Sequence, residues 1–147
     1  TEQGMLDTTP AVNFLRSLVA PFGEIKRRFT VSAVDVNTGI YEVFNQTNTS
    51  YDDLPQACFA SGSIPGVFPP QHYKGMVLMD GGTVWDVNVD SAINQCLEIV
   101  DSVEDIIIDV AICGYTQRTG YPVSKNAMDN FMTGRDERDF YQNTNSI

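Results

Sequence analysis

Apolar positions in this chain fall into short runs with two different spacings. After Thr8-Thr9-Pro10, the residues Val12, Leu15 and Val19, with Leu18 beside them, repeat at helical spacing until Pro21 and Gly23. Thr9 suits the N-cap of that helix and Pro10 its first position. Over 28–35 the spacing changes to alternation, with Phe29, Val31 and Ala33 on one side, which predicts a strand. Asn37-Thr38-Gly39 is turn chemistry, and Ile40 to Phe44 returns as the second strand of a hairpin. A polar loop over 45–53 follows. Asp52 or Asp53 then caps a short helix through Leu54, Ala57, Cys58 and Ala60, which ends in Ala60-Ser61-Gly62-Ser63 and is stopped by Pro65.

Phe68-Pro69-Pro70 must be extended and rigid. Gly75 opens a strand, Met76 to Met79, that stops at Asp80-Gly81-Gly82. A helix is expected from Val89 to Val100, with Ala92, Ile93, Cys96, Leu97 and Val100 as its apolar side. The nearly continuous apolar run from Asp105 to Ile112 suits a strand covered on both faces. From 115 to 147 the chain is polar, with one helix expected from Ser124 to about Phe131.

Strands alternating with helices predict an α/β layered sheet, in which ligands sit outside the carboxyl ends of the strands. Asp80 stands at such an end, where packing alone does not call for a carboxylate. The 147 residues, 42% hydrophobic, can bury a core as a single domain. A net charge of −10 argues against a nucleic-acid partner and against electrostatic docking on anionic lipid, while leaving transient apolar contact with a membrane surface open. No run approaches the length of a membrane span. The start, Thr1-Glu2-Gln3-Gly4, is neither an initiator Met nor a signal peptide and points to a processed or partial chain.

Several other features carry less chemistry. Cys58, Cys96 and Cys113 are too far apart for a zinc or redox pair and read as buried thiols, with one disulfide open in a secreted protein. Asn45 and Asn48 each head a glycosylation triplet; they leave a secreted or luminal site open without excluding the cytoplasm. Asp86 to Asp90 copies the first five places of a calcium loop, but Ser91 and Leu97 stand where Gly and Glu are needed, so no metal is expected. His72, the single histidine, reads as a surface loop residue, and 134–139 as exposed alternating charge. Trp85 reads as core rather than as a cover over Asp80.

The order of motifs is more specific than any one of them. "ACFASGSIPGVFPP" over 57–70, a short gap, and "GMVLMDGGTVWD" over 75–86 resemble the patatin-like phospholipase family. Ala60-Ser61, Ile64-Pro65, Phe68-Pro69-Pro70, Gly75 and Asp80-Gly81-Gly82 stand in the family's order. "GMLDTTPAVNFL" and "AVDVNTGIYEVF" are similar to its preceding helix and strand-turn-strand, so the resemblance covers about residues 4 to 100. It implies a three-layer α/β/α sandwich with a mainly parallel central sheet, of which residues 1–147 form the second half, the C-terminal part of one domain. It further implies lipid or other carboxylic ester hydrolysis by a Ser–Asp dyad, without metal or organic cofactor. Asp80 matches the family's base, and Gly81 and Gly82 its turn.

The nucleophile does not match. The family's serine sits on a G-x-S-x-G elbow, and no such pentapeptide occurs here. Gly62-Ser63-Ile64-Pro65-Gly66 puts its serine second, at an expected helix end, which disfavours Ser61 and Ser63. The glycine-rich oxyanion loop is also missing, and Trp85 to Val89 lacks the proline many members have. Two readings follow: the base-bearing part of an acyl hydrolase, inactive as 147 residues until joined to the N-terminal half in the same or another chain, or a patatin-like storage, binding or assembly module without activity.

Overall fold

The computed structural model describes residues 4–85, 87–111 and 126–145. Helix α1 (Thr9–Val19) has Thr8 as its N-cap, one residue earlier than the sequence predicts, and continues into a 3-10 turn, Ala20–Phe22. Strands β1 (Thr30–Asp35) and β2 (Tyr41–Asn45) form the expected hairpin. Helix α2 (Leu54–Ser61) starts after Asp53. Strand β3 (Gln71–Tyr73), read from sequence as loop, pairs with β4 (Met76–Asp80). Helix α3 (Val89–Leu97) stops three residues before Val100, and helix α4 (Ala127–Asn145) runs far beyond the Phe131 end expected of it.

The strands lie in the order β2-β1-β4-β3, and every pairing is antiparallel. The fold is α/β as expected, but the mainly parallel sheet is a wrong expectation for the described residues. Its cause is local. Both outer pairs are hairpins, and a short turn can only return a strand antiparallel. The β3–β4 turn is the two residues Lys74 and Gly75, with φ of 48° and 83°. Two successive positive φ values match the type I′ geometry whose twist fits a hairpin, and Gly75 takes it without a Cβ penalty.

The apolar run after α3 does not form the strand expected of it. Residues 106–111 form no strand, and Ile107 is 92% exposed. β-Branched residues favour a pleated surface only where a neighbouring strand offers hydrogen bonds, and neither β2 nor β3, the two edges, receives this run.

The core lies between the sheet and α2. Ala57 and Ala60 are fully buried, and their small side chains let α2 sit close against Ala33 and Leu78, also fully buried. Phe44 and Tyr73 meet edge to face at 5.6 Å across the same layer. The register pairs Val31 with Phe44, Ala33 with Asp80, Asp35 with Leu78 and Tyr73 with Met76. Directly paired residues share a face, so Asp80 belongs to the row of Met76 and Leu78 that faces α2.

Candidate active site

Asp80 ends the core row of β4. Its backbone N–H donates to the carbonyl of Ser63 at 3.1 Å, which ties the strand end to the loop after α2. Its Oδ1 accepts from the Gly82 N–H at 2.8 Å, so the side chain caps the 3-10 turn Gly81–Thr83 and the carboxylate is held in one rotation. The side chain is half-buried.

Gly81 is required by close approach. A Cβ there would stand 2.6 Å from the Ser32 carbonyl oxygen and 2.9 Å from Ser32 Oγ. The turn therefore lies directly on β1. Behind it, the Ser32 and Tyr41 hydroxyls are 2.6 Å apart, and Tyr41 also donates to the Trp85 carbonyl at 3.3 Å. The Trp85 ring is half-buried against Tyr41 at 5.8 Å between centroids. Ser32 and Tyr41 lie on the sheet face away from α2, so Trp85 braces the turn from behind.

Asp80 and Gly82 line one wall of a cavity of about 790 Å³. Ile64 and Pro65 of the motif after α2 form a second part of the lining, and α4 lines the far side with Phe131, Arg135 and Arg138. Arg135 Nη1 donates to the Pro65 carbonyl at 3.4 Å, and both arginines pair with Asp139, at 3.8 and 3.1 Å. The volume is that of a small-molecule site, with apolar walls and a few charged groups. Residues 134–139, expected as exposed alternating charge, instead continue α4 and bring Arg135, Arg138 and Asp139 to the cavity. The available signal was spacing: Phe131, Arg135 and Arg138 stand at i, i+4 and i+7, one face of a helix.

Ser63 of the "SGSIPG" stretch is not arranged as a nucleophile. Ser63 is fully buried, and its hydroxyl donates to the Phe59 carbonyl at 2.9 Å, closing the last turn of α2. His72 is exposed on the edge strand β3 rather than in a loop. The Asn45 Oδ1 accepts from the backbone and hydroxyl of Thr47, while the Asn48 amide donates to the Val43 carbonyl at 2.9 Å. Both asparagines thus organise the loop after β2. Asn88 Oδ1 accepts from the Ser91 N–H as the N-cap of α3. Asp86 and Cys113 lie outside the described residues; Cys58 and Cys96 are half-buried free thiols, and burial pushes the Cys58 thiol up.

The two motif blocks distant in sequence thus meet through Asp80 and Ser63. The sequence model of the family described as patatin-like phospholipase matches residues 1–93, a span that holds the whole Asp80 turn and ends inside α3. No curated protein matches the chain.

Proposed function

The chain belongs to the patatin-like phospholipase family, and we propose on that basis that it is the base-bearing part of a lipid acyl hydrolase, with Asp80 as general base. The observation that carries this reading is the Asp80 carboxylate, fixed by Gly82 and lining a cavity of about 790 Å³. A serine hydroxyl is a poor nucleophile until a group within hydrogen-bond reach takes its proton. That serine, on a G-x-S-x-G elbow, and the oxyanion donors come from a segment outside these 147 residues, in the same protein or a separate chain. The same segment brings the parallel strands of the three-layer sandwich.

In the first step the serine Oγ attacks the ester carbonyl while Asp80 accepts its proton. The C–O bond to the alcohol breaks, the proton passes to the departing alkoxide, and an acyl-serine remains. Water then attacks that ester, Asp80 takes the water proton and returns it to Oγ, and the fatty acid leaves. The chemistry needs no metal or organic cofactor. The substrates are carboxylic esters of phospholipid or acylglycerol. The absence of an elbow from the sequence also supports a second reading, a non-catalytic storage or assembly module.

A serine-directed fluorophosphonate probe separates the two. The hydrolase reading expects the full-length protein to be labelled at one serine in a G-x-S-x-G outside these residues, and expects no labelling of the 147-residue chain. A full-length protein that hydrolyses no ester and takes no label favours the module.

A further inference from the structure

We propose that the outer face of α1, with the basic stretch after it, docks the protein on an anionic lipid surface. The inner side of the helix is fixed. Val12 is buried, α1 packs on α2, and the Tyr51 hydroxyl donates to the Val19 carbonyl while accepting from the Gly23 N–H at 3.1 Å. The helix therefore cannot roll to hide its other side. That side carries Phe14, Leu18 and Phe22 at i, i+4 and i+8, and they are 61%, 50% and 59% exposed. Two large apolar side chains one turn apart on a helix anchored by a different face, continued by Phe22 at the end of the 3-10 turn, mark a contact surface rather than a misplaced core.

Charge selects the occupant. Four of the nine basic residues of the chain lie between Phe14 and Arg28, against the single acid Glu24, in a protein of net charge −10. Arg28 pairs with Glu98 and Arg16 lies on another face of α1, where it donates to Asn13, which leaves Lys26 and Arg27 as exposed cations that follow the apolar line in sequence. Aromatic and leucine side chains flanked by such cations fit a bilayer boundary, where the rings enter the acyl region and the cations meet anionic head groups. A second copy meeting it through this same face would instead bring like charge against like. The acidity of the whole chain hides this local reversal. The inference does not rest on the role of Asp80.

The test is flotation of the full-length protein with vesicles of ether-linked phosphatidylcholine, with or without about 30 mol% ether-linked phosphatidylserine. Ether lipids cannot be hydrolysed as acyl esters, so failure to bind is separate from failure to catalyse. Binding to the anionic vesicles is expected to be at least about tenfold tighter than to neutral ones and to weaken with salt. The combined Phe14→Ser, Leu18→Ser and Phe22→Ser variant is expected to lose at least about tenfold while keeping its thermal midpoint. Lys26→Glu with Arg27→Glu is expected to lose about fivefold per unit of charge removed. Absence of vesicle binding, equal binding to neutral vesicles, or unchanged binding by either variant overturns the proposal. So does a serine variant that no longer folds, because the line would then be packed beneath another segment or subunit.

Discussion

The backbone N–H of Asp80 donates to the carbonyl of Ser63 at 3.1 Å. This one bond joins the strand end that carries the carboxylate to the loop that carries Ile64 and Pro65, and both loop residues line the same cavity as Asp80. The position of the carboxylate is therefore set by two segments, the pleat of β4 and the end of α2.

Ser63 contributes through its carbonyl, not its hydroxyl. Ser63→Ala removes a buried donor to Phe59, whose carbonyl also accepts from the Gly62 N–H at 3.1 Å. The expected cost is about 1 kcal/mol in urea unfolding. Ester hydrolysis by the full-length protein should be retained. Complete loss of turnover with an intact fold would make Ser63 the nucleophile instead.

Gly81 tolerates no side chain. In Gly81→Ala the new Cβ meets backbone, the Ser32 carbonyl oxygen at 2.6 Å, and not the flexible end of a side chain. Relief requires β1 and the turn to part, with an expected loss of about 1–3 kcal/mol. Activity should fall as well, because the same shift moves Asp80. A lower urea midpoint at unchanged slope is the measurement that checks it.

Much of this was legible because its signals are local. The Met76 to Asp80 run, the glycines after it and the hairpin over 30–45 are short-range patterns, and each forms as read. Strand β3 was not legible from alternation, since Gln-His-Tyr is too short and polar to show any. Its signal was the turn, a residue plus Gly75 between Tyr73 and Met76. Residues 106–111 failed for the opposite reason. An apolar run reports what a segment would gain from burial, and says nothing about whether a partner strand stands beside it. The far wall of the cavity was hidden because Arg135 and Arg138 were weighed as charges in line rather than as positions on a helix.

Asp35 should make part of the stability depend on pH. Burial pushes its carboxyl up, but the Val77 and Asn37 N–H groups and the Thr38 hydroxyl together outweigh that and hold it below the ordinary value of 3.8. A carboxyl whose folded pKa is depressed stabilises the fold fully above its unfolded pKa and loses that contribution as pH falls through the folded value. The contribution of Asp35 is therefore present at neutral pH and fades below about pH 4. Asp35→Asn should be less stable than the parent at pH 7, and the gap should narrow as pH falls toward 2–3. A gap that is constant or widens on acidification, in urea titrations across pH, would contradict this.

Arg135 holds α4 against the motif loop through the Pro65 carbonyl and faces the cavity. Its ion pair with Asp139 is partly exposed and long, at 3.8 Å, so Arg135→Ala should cost under about 1 kcal/mol of stability. The larger effect should be on substrate binding. KM for an ester substrate of the full-length protein should rise with kcat little changed, as expected when a binding contact but not a reacting group is removed.

The central claim concerns Asp80, and Asp80→Asn in the full-length protein tests it most directly. Asparagine keeps the size of the side chain and an oxygen to accept from Gly82, so the turn should survive, as a thermal midpoint close to that of the parent would verify. Removal of the base should lower kcat for ester hydrolysis by about 10²–10⁴ and slow labelling of the serine by a fluorophosphonate to a similar degree. Turnover and labelling within a few-fold of the parent, in a protein that is still folded, would contradict the assignment of Asp80 as the base.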